Sequence, residues 1–285
     1  MRAFLQSGYY HRIKVVDGNQ AVLGLCLGNY PHRFILKRPV VHPFYTPKGV
    51  PVTEMGAHNF PNIRGIWVAH AALNDINFYH EYDETGWIVP TDWSIDDAGP
   101  EVGIDMTLDW RDPRGEVIAL EERTYRVSRS ETGYVLDIGS ALTPHQEVLR
   151  LAPDMHGFMG VRVIDAIDED DGGQMLSSEG GTTEATISWE QSERPERWVN
   201  YSGQIGDHSV GIAAMFHPDI SPAPVYARGY GVFFLNPQSE EIIEVKKGES
   251  FPFAARFYAY DGAPNASTFE ALWRDFGNQP LTSLV

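Results

Sequence analysis

Apolar residues recur along this chain mostly at every second position, in short runs closed by Gly, Pro or Asp. Between residues 116 and 127 one face carries Val117, Ala119, Glu121, Arg123 and Tyr125, and the other Ile118, Leu120, Glu122, Thr124 and Arg126. A period of two is that of a strand with one face turned to a core. Further short runs rich in β-branched or aromatic residues lie at 18–26, 134–138, 160–164, 185–189, 210–216, 230–234 and 251–260, and each reads as a strand. Asp17-Gly18, Arg114-Gly115, Thr132-Gly133 and Asp261-Gly262 read as the turns between strands. The pattern predicts an all-β fold, a large antiparallel β-sandwich or barrel. No alternation of strands with helices supports a parallel sheet.

One segment changes period. Phe269, Leu272, Trp273 and Phe276 fall at i, i+3, i+4 and i+7, Ser267 and Glu270 form a capping-box pattern, and Gly277 supplies a stop. This predicts a C-terminal helix over 267–276, packed on the sandwich. No linker-like tract and no internal repeat divides the 285 residues, so a single domain over 1–285 is expected.

Charge narrows the partners. With 22 Lys and Arg against 39 Asp and Glu, the formal charge is −17, which excludes broad binding to a phosphate backbone and hence nucleic acid. The longest uncharged apolar runs, 65–73 and 229–237, are about half of the ~20 residues that span a bilayer, so no membrane partner is expected. Residues 1–12 hold no apolar stretch of ~7–15 residues, and a cytoplasmic location follows as the expectation. The single Cys26 excludes an internal disulfide and a cysteine metal cluster, and reads as a buried thiol.

The strong catalytic motifs are absent: no Gly-x-Gly-x-x-Gly after a strand, no phosphate-binding loop, no His-Glu-x-x-His, no Gly-x-Ser-x-Gly. No cofactor and no metal is expected. Polar residues instead crowd beside Gly and Pro. His42 and Tyr45 sit among Pro39, Pro43 and Pro47, which fix the backbone and orient both side chains. Arg64 precedes the apolar run with Trp67 and His70. It must reach solvent, a carboxylate or an anionic ligand, whereas His70 reads equally as a core histidine. Glu179 before Gly180-Gly181 can be presented by an open loop as a general base, or be an ordinary solvated turn residue. Tyr201, His217-Pro218 and Arg228, followed by a strand ending at Asn236, complete the set. The acidic run from Asp168 to Asp171 lacks the ligand spacing of a calcium loop and is expected to face water.

Taken together these segments resemble a known family. The stretch Arg38-Pro-Val-Val-His42-Pro-Phe-Tyr45-Thr-Pro-Lys-Gly49 and then Arg64-Gly-Ile-Trp67-Val-Ala-His70 resemble its amino-terminal signature. Ser178-Glu179-Gly180, Trp198-Val-Asn-Tyr201, Met215-Phe-His217-Pro218 and Arg228-Gly-Tyr-Gly231 through Asn236-Pro237 resemble its second half. The family is the bacterial one labelled PmoA-like, after a methane monooxygenase subunit, and the resemblance covers roughly residues 35 to 277. It implies a β-sandwich of the galactose-mutarotase type and an association with sugar metabolism. His42, Arg64, Glu179, Tyr201, His217, Arg228 and Asn236 match family positions. Where the family has His-Pro-His-His-Arg-Gly, this chain has Phe60-Pro61-Asn62-Ile63-Arg64-Gly65, so any role of those histidines is lost or moved to His58 and His70.

The leading expectation is a carbohydrate-active enzyme (hydrolase, lyase or epimerase-type acid–base chemistry), with a small-molecule sugar or glycoside as partner. Glu179 would be the base, His217 or His42 the acid. Arg64, Tyr45, His70, Tyr201, Arg228, Asn236 and Trp67 would bind the ligand. A non-catalytic carbohydrate-binding or sensing protein is the alternative, and a metal-dependent oxygenase the third reading. The sequence leaves a homodimer open.

Overall fold

The two-residue alternation produces strands throughout. The computed structural model describes residues 1–6, 11–28, 36–56, 60–221, 223–236 and 241–285. The first strands are β1 (Arg2–Gln6), β2 (Arg12–Asp17), β3 (Gln20–Cys26), β4 (Val40–Phe44) and β5 (Ile66–His70). A meander of long strands follows: β6 (Trp87–Asp96), β7 (Val102–Arg111), β8 (Val117–Arg129) and β9 (Gly133–Pro144). Next come β10 (Val148–Leu151), β11 (Gly157–Arg162), β12 (Gln174–Ser177), β13 (Trp198–Ile205) and β14 (His208–Phe216). The last are β15 (Val225–Arg228), β16 (Val232–Leu235), β17 (Ile243–Lys246) and β18 (Phe251–Asp261).

These strands form two eight-stranded antiparallel sheets, in the orders β1-β2-β3-β4-β5-β11-β16-β15 and β12-β13-β14-β18-β9-β8-β7-β6, with β10 and β17 as a separate pair. The sheets pack face to face through rings such as Tyr201 on Phe233, 5.5 Å apart, and Phe158 on Phe253, 5.2 Å apart. The all-β sandwich of the sequence reading is therefore the observed architecture. Cys26 is buried as expected, and burial pushes its thiol up to about 11 against the pull of Arg12.

β8 keeps the predicted alternation. Ala119, Glu121, Arg123, Tyr125 and Val127 turn inward, which places an ion pair inside the sandwich. Glu121 Oε1 accepts from Arg123 Nε (2.7 Å) and Ser140 Oγ (2.6 Å), and Oε2 from Arg123 Nη2 and Trp110 Nε1 (both 2.6 Å). Every lone-pair direction of the carboxylate is filled, which makes its burial tolerable.

Three local expectations need correction. Residues 185–189 are helical rather than extended: α1 (Glu184–Ile187) and α2 (Trp189–Ser192) occupy them. The Thr186 hydroxyl accepts from the backbone N–H groups of Thr182 and Thr183 and closes a helical turn, overriding strand propensity in so short a run. The C-terminal helix α3 (Ala266–Phe276) is present, but Asn265 caps it, accepting from Ser267 N and Thr268 N. Glu270 is instead held by Arg197 and Trp198. Lastly, Asp168 of the acidic run turns inward, 1% exposed, against the Gly231 turn.

Candidate functional site

Because Phe233 faces the second sheet, its neighbour Phe234 points to the outer side of the first. Trp67 lies on that same outer side, 5.4 Å from Phe234. Gly160, paired with both residues, makes room for the indole: a Cβ there would come within 2.5 Å of Trp67 Cζ2. The connection from β5 to β6 folds back over this aromatic floor. Phe78 and Tyr79 then part: Phe78 packs on Trp110 in the interior (4.9 Å), and Tyr79 on Trp67 outside (5.9 Å). Lys37 and Arg38 pin the connection. Lys37 Nζ donates to Tyr82 O, Thr85 O and Thr85 Oγ1, while Arg38 Nη1 donates to Tyr79 O.

Two guanidinium groups converge on one carboxylate beneath this cover. Glu81 lies 3.6 Å from Arg38 Nη1 and 3.2 Å from Arg64 Nη2, and its side chain is 5% exposed. Neither contact has hydrogen-bond geometry, so both Glu81 oxygens are buried without a hydrogen bond. Arg38 Nε, Trp67 Nε1 and Tyr79 Oη share that condition. Burial presses Arg64 below its usual range, with Arg38 adding to the effect and Glu81 opposing it. Burial likewise raises the Tyr79 hydroxyl, against Arg38.

Beside Tyr79 stands a pair of histidines. The His156 ring stacks on Tyr79 at 4.8 Å, and His80 lies 4.9 Å from Tyr79 and 5.1 Å from His156. Asn77 Oδ1 is taken by the backbone N–H groups of Tyr79 (2.9 Å) and His80 (2.8 Å), so its amide NH₂ faces His80 Nδ1 at 2.9 Å. His80 therefore accepts at Nδ1 and carries its ring proton on Nε2. His156 is set the other way. Its Nδ1 faces Asp154 Oδ1 at 2.9 Å, which draws the proton to Nδ1 and leaves a lone pair on Nε2. Burial, then His156 and Arg38, hold His80 below the usual imidazole range, with Asp154 opposing. Burial works against ionisation of Asp154, but hydrogen bonds from the His156 ring and backbone N–H outweigh it and lower its carboxyl. Tyr82 (60% exposed), its ring stacked on His80 at 5.3 Å, and Met155 (38%), next to His156 in the chain, give the cluster accessible apolar surface.

Of the residues singled out in the sequence, this place gathers Arg64 and Trp67. Asn236 borders it, donating to Asp154 O. His70 lies beneath, fully buried, with Nε2 on Ala152 O at 2.9 Å; burial lowers its pKa, with that hydrogen bond and Asp154 opposing. His42 is a structural residue. The Thr53 hydroxyl accepts from Phe44 N and so donates to His42 Nδ1 at 3.1 Å, and burial, then Arg12, lower this imidazole to about 4. Tyr45, half-buried, forms an isolated bridge with Pro51.

The remaining four stand elsewhere, so the predicted constellation does not assemble. Glu179 is exposed at the end of β12, its Oε1 paired with Arg197 at 2.7 Å, and Arg197 also holds Glu270 of α3. His217 is fully buried: its Nε2 meets Gln279 O at 2.9 Å, its Nδ1 accepts from Asp219 N, and its ring packs on Phe276. It anchors the C-terminal segment. Tyr201 lies between the sheets and donates to Arg228 O at 2.8 Å. Arg228 is spent on Ser188 Oγ (3.0 Å) and Glu190 (2.5 Å), tying β15 to α2. His58 lies outside the described residues, as does Pro237.

Glu81, Tyr79, His80, Asp154 and His156 were not singled out in the sequence. Their signals were local and weak: Asn77-x-x-His80 and Asp154-x-His156, spacings at which a short polar side chain reaches a nearby imidazole. A cation could be sought at Asp165, Asp168 and Asp171, whose carboxylate oxygens lie within 4.8 Å of one another. Asp165 is already bonded to Arg162 and Asp168 to Asp171 N, and burial, then Asp171, raise Asp168 to about 6.

Comparison with known proteins adds a family but no activity. No curated protein matches the chain. Among solved structures, a TPR-domain-containing protein from Parabacteroides distasonis ATCC 8503 aligns at 10% identity and a TM-score of 0.34, over 91% of this chain and 48% of that one. The chain thus spans about half the length of that protein. No helix among the described residues is long and apolar enough to cross a membrane. The sequence profile of a family of unknown function, DUF6807, matches residues 12–274, and the chain belongs to that family.

Proposed function

We propose that this protein is a carbohydrate-active enzyme of the epimerase or isomerase type, with His156 as the base and His80 as the hydrogen-bond donor to developing negative charge. The observation that carries this is the opposed tautomers of two adjacent imidazoles, His80 with its proton on Nε2 and His156 with its lone pair there. His156 Nε2 takes a proton from a carbon beside a carbonyl, and Asp154 stabilises the resulting imidazolium. The electron pair moves onto an oxygen that accepts from His80 Nε2–H. A neutral imidazole suits that role, and burial keeps His80 neutral at pH 7. His156 then returns the proton, to the neighbouring carbon in an isomerisation or, once the intermediate has turned in the site, to the other face of the same carbon in an epimerisation, so protons balance over a cycle. Glycoside hydrolysis fits less well, because it calls for two carboxylates flanking the bond, and here Glu81 faces Arg38 and Arg64 while Asp154 holds His156. The exposed ring of Tyr82, stacked on His80 at 5.3 Å, offers an apolar face on which a sugar can lie.

A panel of aldoses, ketoses and uronates incubated with the protein in D₂O and followed by NMR tests the reading. The expected result is epimer formation or deuterium uptake with one sugar class, reduced ~10²–10⁴-fold in His156→Gln and also lowered in His80→Gln. Turnover at the wild-type rate in His156→Gln would sink the assignment of the base. A second reading, binding without catalysis, is favoured by Phe60, Asn62 and Ile63 standing where the PmoA-like pattern has histidines; tight binding with no exchange on any sugar would select it.

A further inference from the structure

Resting on that reading, we propose that the substrate carries a carboxylate, which enters between Arg38 and Arg64 by displacing Glu81; the sugar is a uronic or aldonic acid. In a finished buried ion pair the carboxylate takes directed bonds on both oxygens, as Glu121 does. Glu81 takes none, although it approaches Arg64 Nη2 to 3.2 Å and Arg38 Nη1 to 3.6 Å. The other buried atoms lacking partners around it, Arg38 Nε, Trp67 Nε1 and Tyr79 Oη, can all donate. Their residues are at most 1% exposed. Three unmet donors and the two unmet Glu81 oxygens thus stand in one buried cluster, and two guanidinium groups face its one carboxylate. Glu81 itself shows that a carboxylate fits between the arginines. It is followed by exposed Tyr82, Asp83 and Glu84, which puts it one residue from the protein surface. Asp83 and Glu84 also make the entrance acidic, which favours a singly charged carboxylate over a doubly charged phosphate. Tyr79 touches both parts of the site: Arg38 lies 5.3 Å from its ring centre and His156 stacks on it at 4.8 Å. A ligand anchored by its carboxylate would thus bring neighbouring carbons to the histidine pair.

Calorimetry on the intact protein tests this, with glucuronate, galacturonate, gluconate, the neutral parents glucose and galactose, glucose 6-phosphate, and lactate as a carboxylate without a sugar. A sugar acid is expected to bind at least about tenfold more tightly than its neutral parent, the effect of one good charge-assisted contact. Glu81→Gln keeps the shape and removes the competitor, so it should tighten sugar-acid binding by about three- to tenfold and leave neutral sugars unchanged. Arg64→Lys keeps the charge but loses the planar fork, and should weaken the acid about tenfold or more. Far-ultraviolet circular dichroism on both variants shows that they remain folded. Neutral sugars binding as tightly as their acids, with neither variant changing the ratio, would overturn the carboxylate subsite and leave the sugar reading standing. Lactate responding to both variants while every sugar acid fails to bind would keep the subsite and remove the sugar. Preference for the phosphate, or no binding by any probe in wild type or Glu81→Gln, would overturn the proposal.

Discussion

Among the described residues, two of the buried clusters of arginine and carboxylate are finished to different degrees. In the interior, Glu121 and Arg123 are both fully buried, and four donors fill the carboxylate. On the outer side of the first sheet, Glu81 faces Arg38 and Arg64 with no directed bond to either oxygen. The low dielectric of the surroundings acts in opposite senses at the two places. It strengthens every bond in the interior network, and it penalises each unmet donor and acceptor in the outer one. This contrast is what supports the proposed carboxylate subsite at the outer place, which unmet polar capacity sets apart more than charge or burial does.

The largest effect expected from this contrast is on stability. Removing one partner of a satisfied buried pair leaves the other charged and unbonded, at a cost of about 3–5 kcal/mol. Glu121→Gln should therefore fall in that range, because the amide offers one acceptor oxygen to four donors, turns an NH₂ on the others and leaves the Arg123 charge buried without a counter-ion. Glu81→Gln breaks no directed bond but takes the counter-charge from buried Arg38 and Arg64, so it should cost less than Glu121→Gln, about 1–3 kcal/mol. Urea unfolding of both variants measures the difference. Equal losses would erase the distinction between a structural pair and a site.

A second test asks what a buried group that resists protonation does. His42 accepts from Thr53, and burial, with Arg12, lowers its imidazole from 6.5 to about 4. A histidine whose folded pKa is depressed resists the proton that the unfolded chain takes up. Its contribution is complete above about pH 6.5 and is lost as pH falls towards 4, roughly 3 kcal/mol over that window. Asp168 runs the other way. Its folded pKa, raised from 3.8 to about 6, means that the folded chain takes the proton first, so stability rises as pH falls between those values. Urea midpoints at pH 7, 5.5 and 4 should therefore fall less steeply than His42 alone dictates, and His42→Gln should flatten or reverse the trend. A steeper fall in His42→Gln than in wild type would contradict both assignments.

The sequence made the sandwich legible because a two-residue period survives whatever the partners are. It put Glu121 and Arg123 in the same set as Ala119 and Tyr125, and the structure shows that this set faces the core. Arg64 and Trp67 were legible for a similar local reason, a charged residue at the mouth of an apolar run. The misassigned residues failed on long-range pairing. Arg228 looked available until α2 supplied Glu190, and His217 looked catalytic until Gln279, 62 residues on, took its Nε2. His80 and His156 were invisible for the converse reason. Each has a local orienting partner, Asn77 or Asp154, but their opposed tautomers acquire meaning only once β11 is laid beside β5 and the β5–β6 connection folds over them.

The smallest expected effect belongs to the residue that the sequence favoured most. Glu179 is an ion-pair partner at the surface, its side chain 39% exposed and its oxygen 2.7 Å from Arg197, which is itself 27% exposed. Solvent screens such a pair, and Arg197 keeps Glu270 when Glu179 is neutralised. Glu179→Gln should change stability by less than about 0.5 kcal/mol and leave turnover or binding of any identified sugar unaltered. Measured beside His156→Gln under the same conditions, it separates a carboxylate with its partner in hand from an imidazole poised for one. A loss of turnover in Glu179→Gln comparable to that in His156→Gln would move the chemistry to the β12 end of the second sheet, and the outer face of the first sheet would lose its claim to be the site.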